Sequence, residues 1–365
     1  MKFRSERDTL GEAVSTAQRA TAGRAGALPV LSGVRLGVNE SQLEIVGSDL
    51  ELTMRVRVPV EAERPGDAVL PARLLGDYVR LLPPGSVTVD VGDEEARISG
   101  GRSEVTLRTL AVADFPRLPE VTAAGVKVAG GPFGEGLRQV VPAASRDDAR
   151  PILTGVLVNA TPGGLRLVAT DSYRLAVRDL QGVSMLDEGQ SVLVAAKGLR
   201  EVQRLAGSTD LEVVLGDRDA VFRVDGVEIT TRLIEGDFPN YEQLIPKDYP
   251  NRLTVARDVL GEAVNRVRLV GQGRDTAPIR LKMSSEGLEL SAVGQDIGEA
   301  HEPVDAKYEG SELTVAFNSQ FLLDGLEAAA SAEVVIESID PLKPATVRAT
   351  DNADFLYLLM PVRIA

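Results

Sequence analysis

Three similar segments at nearly equal intervals constrain this chain more than any other feature. Leu10-Gly11-Glu12-Ala13, Phe133-Gly134-Glu135-Gly136 and Leu260-Gly261-Glu262-Ala263 read alike and lie 123 and 127 residues apart. Each opens a helix-like segment and is followed by a Pro-led stretch that reads as a strand: Pro29-Val30-Leu31-Ser32-Gly33-Val34, Pro151-Ile152-Leu153-Thr154-Gly155-Val156 and Pro278-Ile279-Arg280-Leu281. A second helix recurs at 72–82, 196–205 and 319–329, and strands with period-2 alternation follow it, as in Val87-Thr88-Val89-Asp90-Val91. A period that contains whole supersecondary units means one small fold used three times. At 365 residues the chain also exceeds the size, ~250–300 residues, at which one core stops growing. Three domains are therefore expected, at 1–121, 126–246 and 252–365, each within the usual domain size.

With two helices and roughly eight strands per repeat, the helices cannot cover both faces of a sheet. The expected class is α+β, two helices backed by antiparallel sheets in each repeat. In the second helix of the first repeat, Arg73, Asp77 and Arg80 share one face, while Leu74, Leu75, Tyr78 and Leu81 supply the apolar one. The second repeat sets Lys197, Arg200, Glu201 and Arg204 beside Leu199, Val202 and Leu205. A charged helix face is ordinarily a solvated one, but recurrence at the same place in two repeats suits a basic binding face equally. The third repeat departs: Ser319, Gln320, Asp324 and Glu327 offer no cation, and its arginines sit earlier, at 257, 266, 268 and 274.

Net charge is -14, which argues against a protein coated with nucleic acid over its whole surface but leaves room for local basic stripes. With no Cys, disulfides and thiolate metal sites are excluded. The only His is His301, so a His-based zinc site or a Ser-His-Asp triad has little to build on. The charged start, Met1-Lys2-Phe3-Arg4, leads into no signal-like apolar run, and no stretch approaches the ~18 apolar residues of a membrane span. A cytoplasmic location without membrane partners is expected.

No enzyme motif is found. The glycine-rich 130–136 stretch lacks the Lys-Ser/Thr of a P-loop. Asp217-Arg218-Asp219 is followed too late by Asp225-Gly226 for a calcium loop and reads as hairpin chemistry. Asp147-Asp148, between Arg146 and Arg150, suits a basic loop better than a cation site. No catalytic residue, metal or cofactor is expected.

The segment Val168-Ala169-Thr170-Asp171-Ser172-Tyr173-Arg174-Leu175-Ala176-Val177 is an apolar strand cut by a polar turn and then resumed. It gathers an aromatic, a cation and an aliphatic side chain, the mixture a peptide-receiving groove needs. Together with the threefold repeat, Asp237-Phe238-Pro239-Asn240-Tyr241 and the terminal Met360-Pro361-Val362-Arg363, it resembles the bacterial β sliding clamp family, the processivity subunit of the replicative DNA polymerase (DNA polymerase III beta subunit). The resemblance spans the whole chain. It implies a DNA sliding clamp without catalysis: a head-to-tail homodimeric ring of six domains, helices lining the hole and sheets outside.

Helix width agrees with such a ring. Twelve helices, each ~10 Å wide, give a circumference of roughly 120 Å and a clear opening near ~28 Å, whereas six leave only about 9 Å. Two chains can encircle a duplex and one cannot. The resemblance further implies sequence-independent contact with double-stranded DNA. Short segments of the replicative polymerase, clamp loader and repair proteins are the implied groove partners. Matched position by position, the groove comprises Leu153, Thr170, Tyr173, Arg174, Leu175, Pro239, Leu244, Met360, Pro361 and Val362. Arg24, Arg73, Lys197, Arg200 and Arg204 face DNA. At the dimer contact, Val105 and Leu107 meet Leu269 and Val270 of the other chain, with Arg73 and Arg97 opposite Glu299 and Glu302. Glu242 and Gln243 stand where many clamps carry basic residues, which leaves peptide preference at that rim open; Asp147 and Pro151 likewise depart from the common DNA-contacting residues. The competing readings are a repeat-built β-rich scaffold without a DNA role and a specialised clamp paralogue.

Overall fold

The computed structural model describes residues 1–23, 28–118, 121, 123–271, 278–294 and 296–363. These contain six α-helices, two per repeat, and 26 strands. The helices are α1 (Arg7–Gln18), α2 (Ala72–Leu81), α3 (Gly130–Val140), α4 (Ala196–Leu205), α5 (Arg257–Val267) and α6 (Ser319–Ala329). The chain forms two compact units, Met1–Gly130 with Arg204–Leu233, and Gly131–Gln203 with Ile234–Ala365. The first holds a five-stranded and an eight-stranded sheet, the second a nine-stranded and a four-stranded one. The fold is the expected α+β arrangement.

Repeats and compact units divide the chain differently because strands are lent from one repeat to its predecessor. Val227–Arg232 pairs antiparallel with Leu52–Pro59, carrying the hairpin of the second repeat into the sheet of the first. In the other unit Phe355–Leu359 pairs in the same way with Arg174–Gln181. The hairpin reading of Asp225-Gly226 holds: the two residues join paired strands with φ of 47° and 78°, the left-handed values of a two-residue turn.

Each helix is fixed by a stripe of small and aliphatic residues. In α1 that stripe is Leu10, Ala13, Val14 and Ala17, and Gly47 lets the helix lie directly on the sheet, since a Cβ there would stand 1.9 Å from the Ala17 carbonyl oxygen. In α2 the buried positions are Ala72, Leu75, Gly76 and Val79. The expected apolar face of that helix is thus only partly right: Leu74 and Leu81 are 52% and 85% exposed. The i, i+3, i+4, i+7 set that includes the two small residues is the one that can approach the sheet closely. Glu201, assigned to the polar stripe of α4, is likewise buried.

The Pro-led stretches also differ from expectation. Pro29–Ser32 and Pro151–Thr154 are 3-10 turns that precede the strands, and only Pro278–Ser284 is a strand. Proline at the first position of a helical turn suits its fixed φ and missing N–H. At α6 the Asn318 side chain accepts from the N–H groups of Gln320 and Phe321, capping the helix start. Its last carbonyls, of Glu327 and Ala328, accept from the Arg138 guanidinium and the Gln139 amide of α3. Among the described residues no helix is long and apolar enough to cross a membrane.

Candidate functional site

The central turn is built by its own side chains. Asp171 Oδ1 accepts from the backbone N–H of Tyr173 (2.9 Å) and Arg174 (3.0 Å). Thr170 Oγ1 donates to the Arg174 carbonyl at 2.7 Å and accepts from Ser172 N–H at 3.2 Å. Ser172 takes φ +80°, and Tyr173 is pushed outward, 60% exposed. Thr170, expected in the groove, is therefore buried as a turn-former.

The chain's far end is stitched to this turn. Strand Phe355–Leu359 pairs with Arg174–Gln181, after which Met360 N–H donates to the Tyr173 carbonyl at 2.8 Å and Val362 N–H to the Ala316 carbonyl at 2.7 Å. Met360, Pro361 and Val362 are thus held from both sides, with Met360 37% exposed. Val168, Leu175, Val177, Tyr241, Leu356 and Leu358 form one apolar cluster, with Leu157, Phe238 and Ile245 packed against it. Leu175 is sealed into this cluster, and Leu153 is also buried. Pro239 and Leu244 are exposed, Leu244 on the short turn Glu242–Leu244. The Tyr241 hydroxyl is pushed above its ordinary pKa by burial, against the opposing pull of Arg166. Arg166 itself is held by Asp179 at 2.7 Å and lies 3.7 Å from Glu242, so the acidic rim noted in the sequence is tied to this network.

Arg174, expected in the groove, has its guanidinium engaged inside the protein. It donates to Asp171 Oδ2 at 3.0 Å, to Asp324 and to the Tyr357 hydroxyl, and stacks 4.2 Å above the Phe321 ring. Burial penalises its charge, but the Tyr357 hydroxyl and the two carboxylates outweigh that and hold it above the ordinary arginine range. Beside it opens a cleft of about 650 Å³ lined by Arg146, Asp147, Arg150, Tyr173, Gln320 and Phe321, among others. The α6 residues of this wall were missed from the sequence, where a polar helix face reads as merely solvated.

Of the expected DNA-facing cations, Arg24 lies outside the described residues. Arg73 is 80% exposed and loosely paired with Asp77 at 3.7 Å, an aspartate shared with Arg80 at 3.1 Å. Arg204 lines a cleft of about 450 Å³ with Arg7, Arg19 and Arg80, three arginines absent from the expected set. Arg7 and Arg19 flank the two ends of α1, a spacing that could have drawn attention to them. On α4, Lys197 is exposed and Arg200 half-buried; desolvation lowers the Lys197 ammonium pKa against the opposing field of Glu201.

The expected dimer residues sit at two sheet edges. Ser103–Arg108 ends the five-stranded sheet, with Val105 and Leu107 half-buried on its core side, and Gly298–Val304 ends the four-stranded one. Leu269 is 56% exposed and Val270 half-buried, and Val293 and Ile297, which were not foreseen, are also exposed. Within the chain Arg97 already faces Glu104 at 3.5 Å, and Glu302 is gripped by Arg266 at 2.6 Å, which depresses its carboxyl pKa. Glu299 lies 3.7 Å from His301. Cross-chain pairs from Arg73, Arg97 or Glu302 would compete with these.

Known proteins match the chain along its whole length. The N-terminal, central and C-terminal domains of the DNA polymerase III beta subunit match residues 1–119, 128–240 and 242–363. The beta sliding clamp of Streptomyces coelicolor is 38% identical over the full length of both chains. That of Staphylococcus epidermidis is 30% identical, covering all of this chain and 99% of its own. Among solved structures, the Bacillus subtilis sliding clamp superposes with a TM-score of 0.88 at 27% identity, covering both chains completely. The Pseudomonas aeruginosa clamp bound to griselimycin does so with 0.87 at 31%, again over both chains.

Proposed function

The chain belongs to the DNA polymerase III beta subunit family of sliding clamps, and from that premise we propose that it acts without catalysis as a head-to-tail homodimeric ring in the cytoplasm. The ring encircles duplex DNA and recruits replication and repair proteins through the groove around Tyr173, Leu175 and Met360. The observation that carries the groove reading is the stitched chain end: Met360 N–H on the Tyr173 carbonyl holds an exposed, adaptable thioether two residues beyond Leu358, which pairs with Leu175 and shares its apolar cluster. Griselimycin is bound by the Pseudomonas clamp, and the same compound is expected to bind this groove. Polymerase, clamp loader and repair proteins would enter as extended segments with Leu or Phe anchors.

The dimer reading is supported by two unlike sheet edges without a further strand partner among the described residues, Ser103–Arg108 and Gly298–Val304, the second beside exposed Leu269 and Ile297. Unpaired edges invite pairing with another chain, and unlike faces make closed rings when the rotation closes. Residues 1–121, 126–246 and 252–365 are taken as the three clamp domains, so that each dimer carries six. DNA contact would run through Arg24, Arg73, Lys197, Arg200 and Arg204, joined by Arg7, Arg19 and Arg80, which line one cleft with Arg204. A scaffold without a DNA role is not favoured. The deciding experiment is topological: protein loaded on nicked circular DNA should be retained and then lost when the circle is cut. Retention on the linear product would refute encirclement.

A further inference from the structure

Gln320 lines two clefts at once. One is the partner-side cleft with Tyr173, Arg174 and Phe321; the other, about 480 Å³, lies between α5 and α6 with Arg257, Asn265 and Arg268. Through it runs an unbroken hydrogen-bonded line. Arg268 donates to Gln320 Oε1 at 2.9 Å, Gln320 Nε2 donates to Asp324 Oδ1 at 2.8 Å, Arg174 donates to Asp324 Oδ2, and Arg174 also holds Asp171. Asp171 in turn fixes the backbone of Tyr173. We infer that Arg268 is a positioning residue for the partner groove, acting through Gln320 and Asp324, and that a phosphate drawing Arg268 away weakens binding in that groove.

The charges explain why the line matters. Asp171 and Asp324 are two largely buried carboxylates sharing one buried cation, Arg174, so the trio carries an excess negative charge. Arg268 offsets that excess at a distance by orienting the Gln320 amide, whose N–H end then faces Asp324. Gln320 and Arg268 are the solvent-accessible members, so a ligand can reach them without unfolding anything. With Arg268 withdrawn, the amide loses the donor that fixes its rotation, and Asp324 loses an oriented partner. The position of Arg174 over Phe321, and with it the groove wall, is then held less firmly. Coupling of this kind is reciprocal: a filled groove shifts the affinity of Arg268 for phosphate by the same factor.

The inference rests on the proposed encirclement of DNA and partner binding in the groove, and titration calorimetry of the full-length protein with griselimycin separates the possibilities. Arg268→Ala and Gln320→Ala should each weaken binding about threefold, the size of one net hydrogen bond. The double variant should weaken it no further, since both act on one line, while Arg268→Lys, which can still donate to Gln320, recovers most of the loss. Excess short linear duplex at low ionic strength should weaken binding to the wild type by a similar factor and leave Arg268→Ala unaffected. Unchanged affinity in Arg268→Ala, additive losses in the double variant, or an equal DNA effect on both proteins would overturn the inference. Met360→Ala is the control: if it loses affinity while Arg268→Ala does not, coupling fails and the groove stands; if Met360→Ala binds as wild type, the groove assignment itself fails.

Discussion

Replacing Arg174 with Met tests whether its charge serves the protein or an arriving partner. The methionine keeps much of the aliphatic stem but removes the cation shared by Asp171 and Asp324. The side chains of Arg174, Asp171 and Asp324 are 10%, 13% and 21% exposed, so little solvent is available to take over. Breaking a buried ion pair from one side costs ~3–5 kcal/mol, because a charge is left without compensation. Asp171 keeps two backbone N–H donors and Asp324 keeps the Gln320 amide, which puts the expected loss near the lower end, ~3 kcal/mol. Loss of the stack over Phe321 adds ~0.5–1 kcal/mol. For a unit of this size each kcal/mol moves Tm by ~2–4 °C, so the combined ~3.5–4 kcal/mol should lower the transition of the unit holding Arg174 by roughly 7–16 °C in scanning calorimetry.

The same experiment carries its own rescue. In Arg174→Met combined with Asp171→Asn and Asp324→Asn no charge is left uncompensated, and the amide oxygen that takes the place of the Asp171 carboxylate can still accept from the turn's N–H groups. Replacing a whole buried ion group by neutral residues is often neutral, so the triple variant should recover most of the lost stability. An Arg174→Met protein within ~1 kcal/mol of wild type, the range of exposed ion pairs, would refute the reasoning. Arg174 would then be solvated and available for partner contact.

Three further outcomes follow from named contacts. Replacing Leu269 and Val270 with Ala together should give monomers in sedimentation, each losing ~1–3 kcal/mol of apolar burial at two interfaces; an unchanged dimer would put the contact elsewhere. Gly325→Ala places a Cβ 2.5 Å from the Tyr357 ring, and overpacking of ~1–3 kcal/mol set against a helix gain of ~1 kcal/mol leaves a net destabilisation in urea titration; a stabilised variant would contradict that packing. The Asp147 carboxyl is held below its ordinary pKa by the Ala149 N–H and then by Arg150. A depressed carboxyl stabilises the loop above its unfolded value of ~3.9 and loses that contribution as pH falls through the lower folded value, so a carboxyl NMR titration with a midpoint at or above ~3.9 would sink the assignment.

The sequence is most legible where period and turn chemistry agree. The second helices fall at 72–81, 196–205 and 319–329 because each carries a 3.6-period of aliphatic residues opened by a strand, and Asp225-Gly226 can scarcely be anything but a tight turn. Legibility fails where two faces compete. In α2 the bulky Leu74 and Leu81 looked like core, but Ala72 and Gly76 allow the closer approach and bring Leu75 and Val79 inward. At the site, nothing local in the sequence joins Tyr173 to Met360; that pairing came from family resemblance. The destination of Arg174 was hidden as well, because its partner Asp324 is 150 residues away on a helix face that reads as solvated.

The first repeat clarifies what makes the groove, because it contains the same turn without the same wall. Asp49 Oδ1 accepts from the N–H groups of Glu51 (3.0 Å) and Leu52 (2.8 Å), as Asp171 does from Tyr173 and Arg174. Leu50 takes φ +78°, matching Ser172 at +80°. Below lies an apolar cluster of Val30, Leu31, Val46, Val69 and Phe115, and a borrowed strand, Val227–Arg232, completes the sheet. What differs is the strand after the turn. Where the second repeat has Val177, the first has Arg55, 5% exposed, donating to the Leu118 carbonyl at 3.3 Å and 3.9 Å from Glu228. Where the second has Arg174, the first has Leu52, fully enclosed. The cation and the aliphatic residue have in effect changed places along the strand. In the first repeat the cation is spent on holding a connector at the Leu118 carbonyl. In the second it is drawn aside to Asp171 and Asp324, while Leu175 and Val177 join the apolar cluster with Leu356 and Leu358 of the chain's last strand. The proposed recognition groove thus differs from the turn of the first repeat in the placement of one arginine.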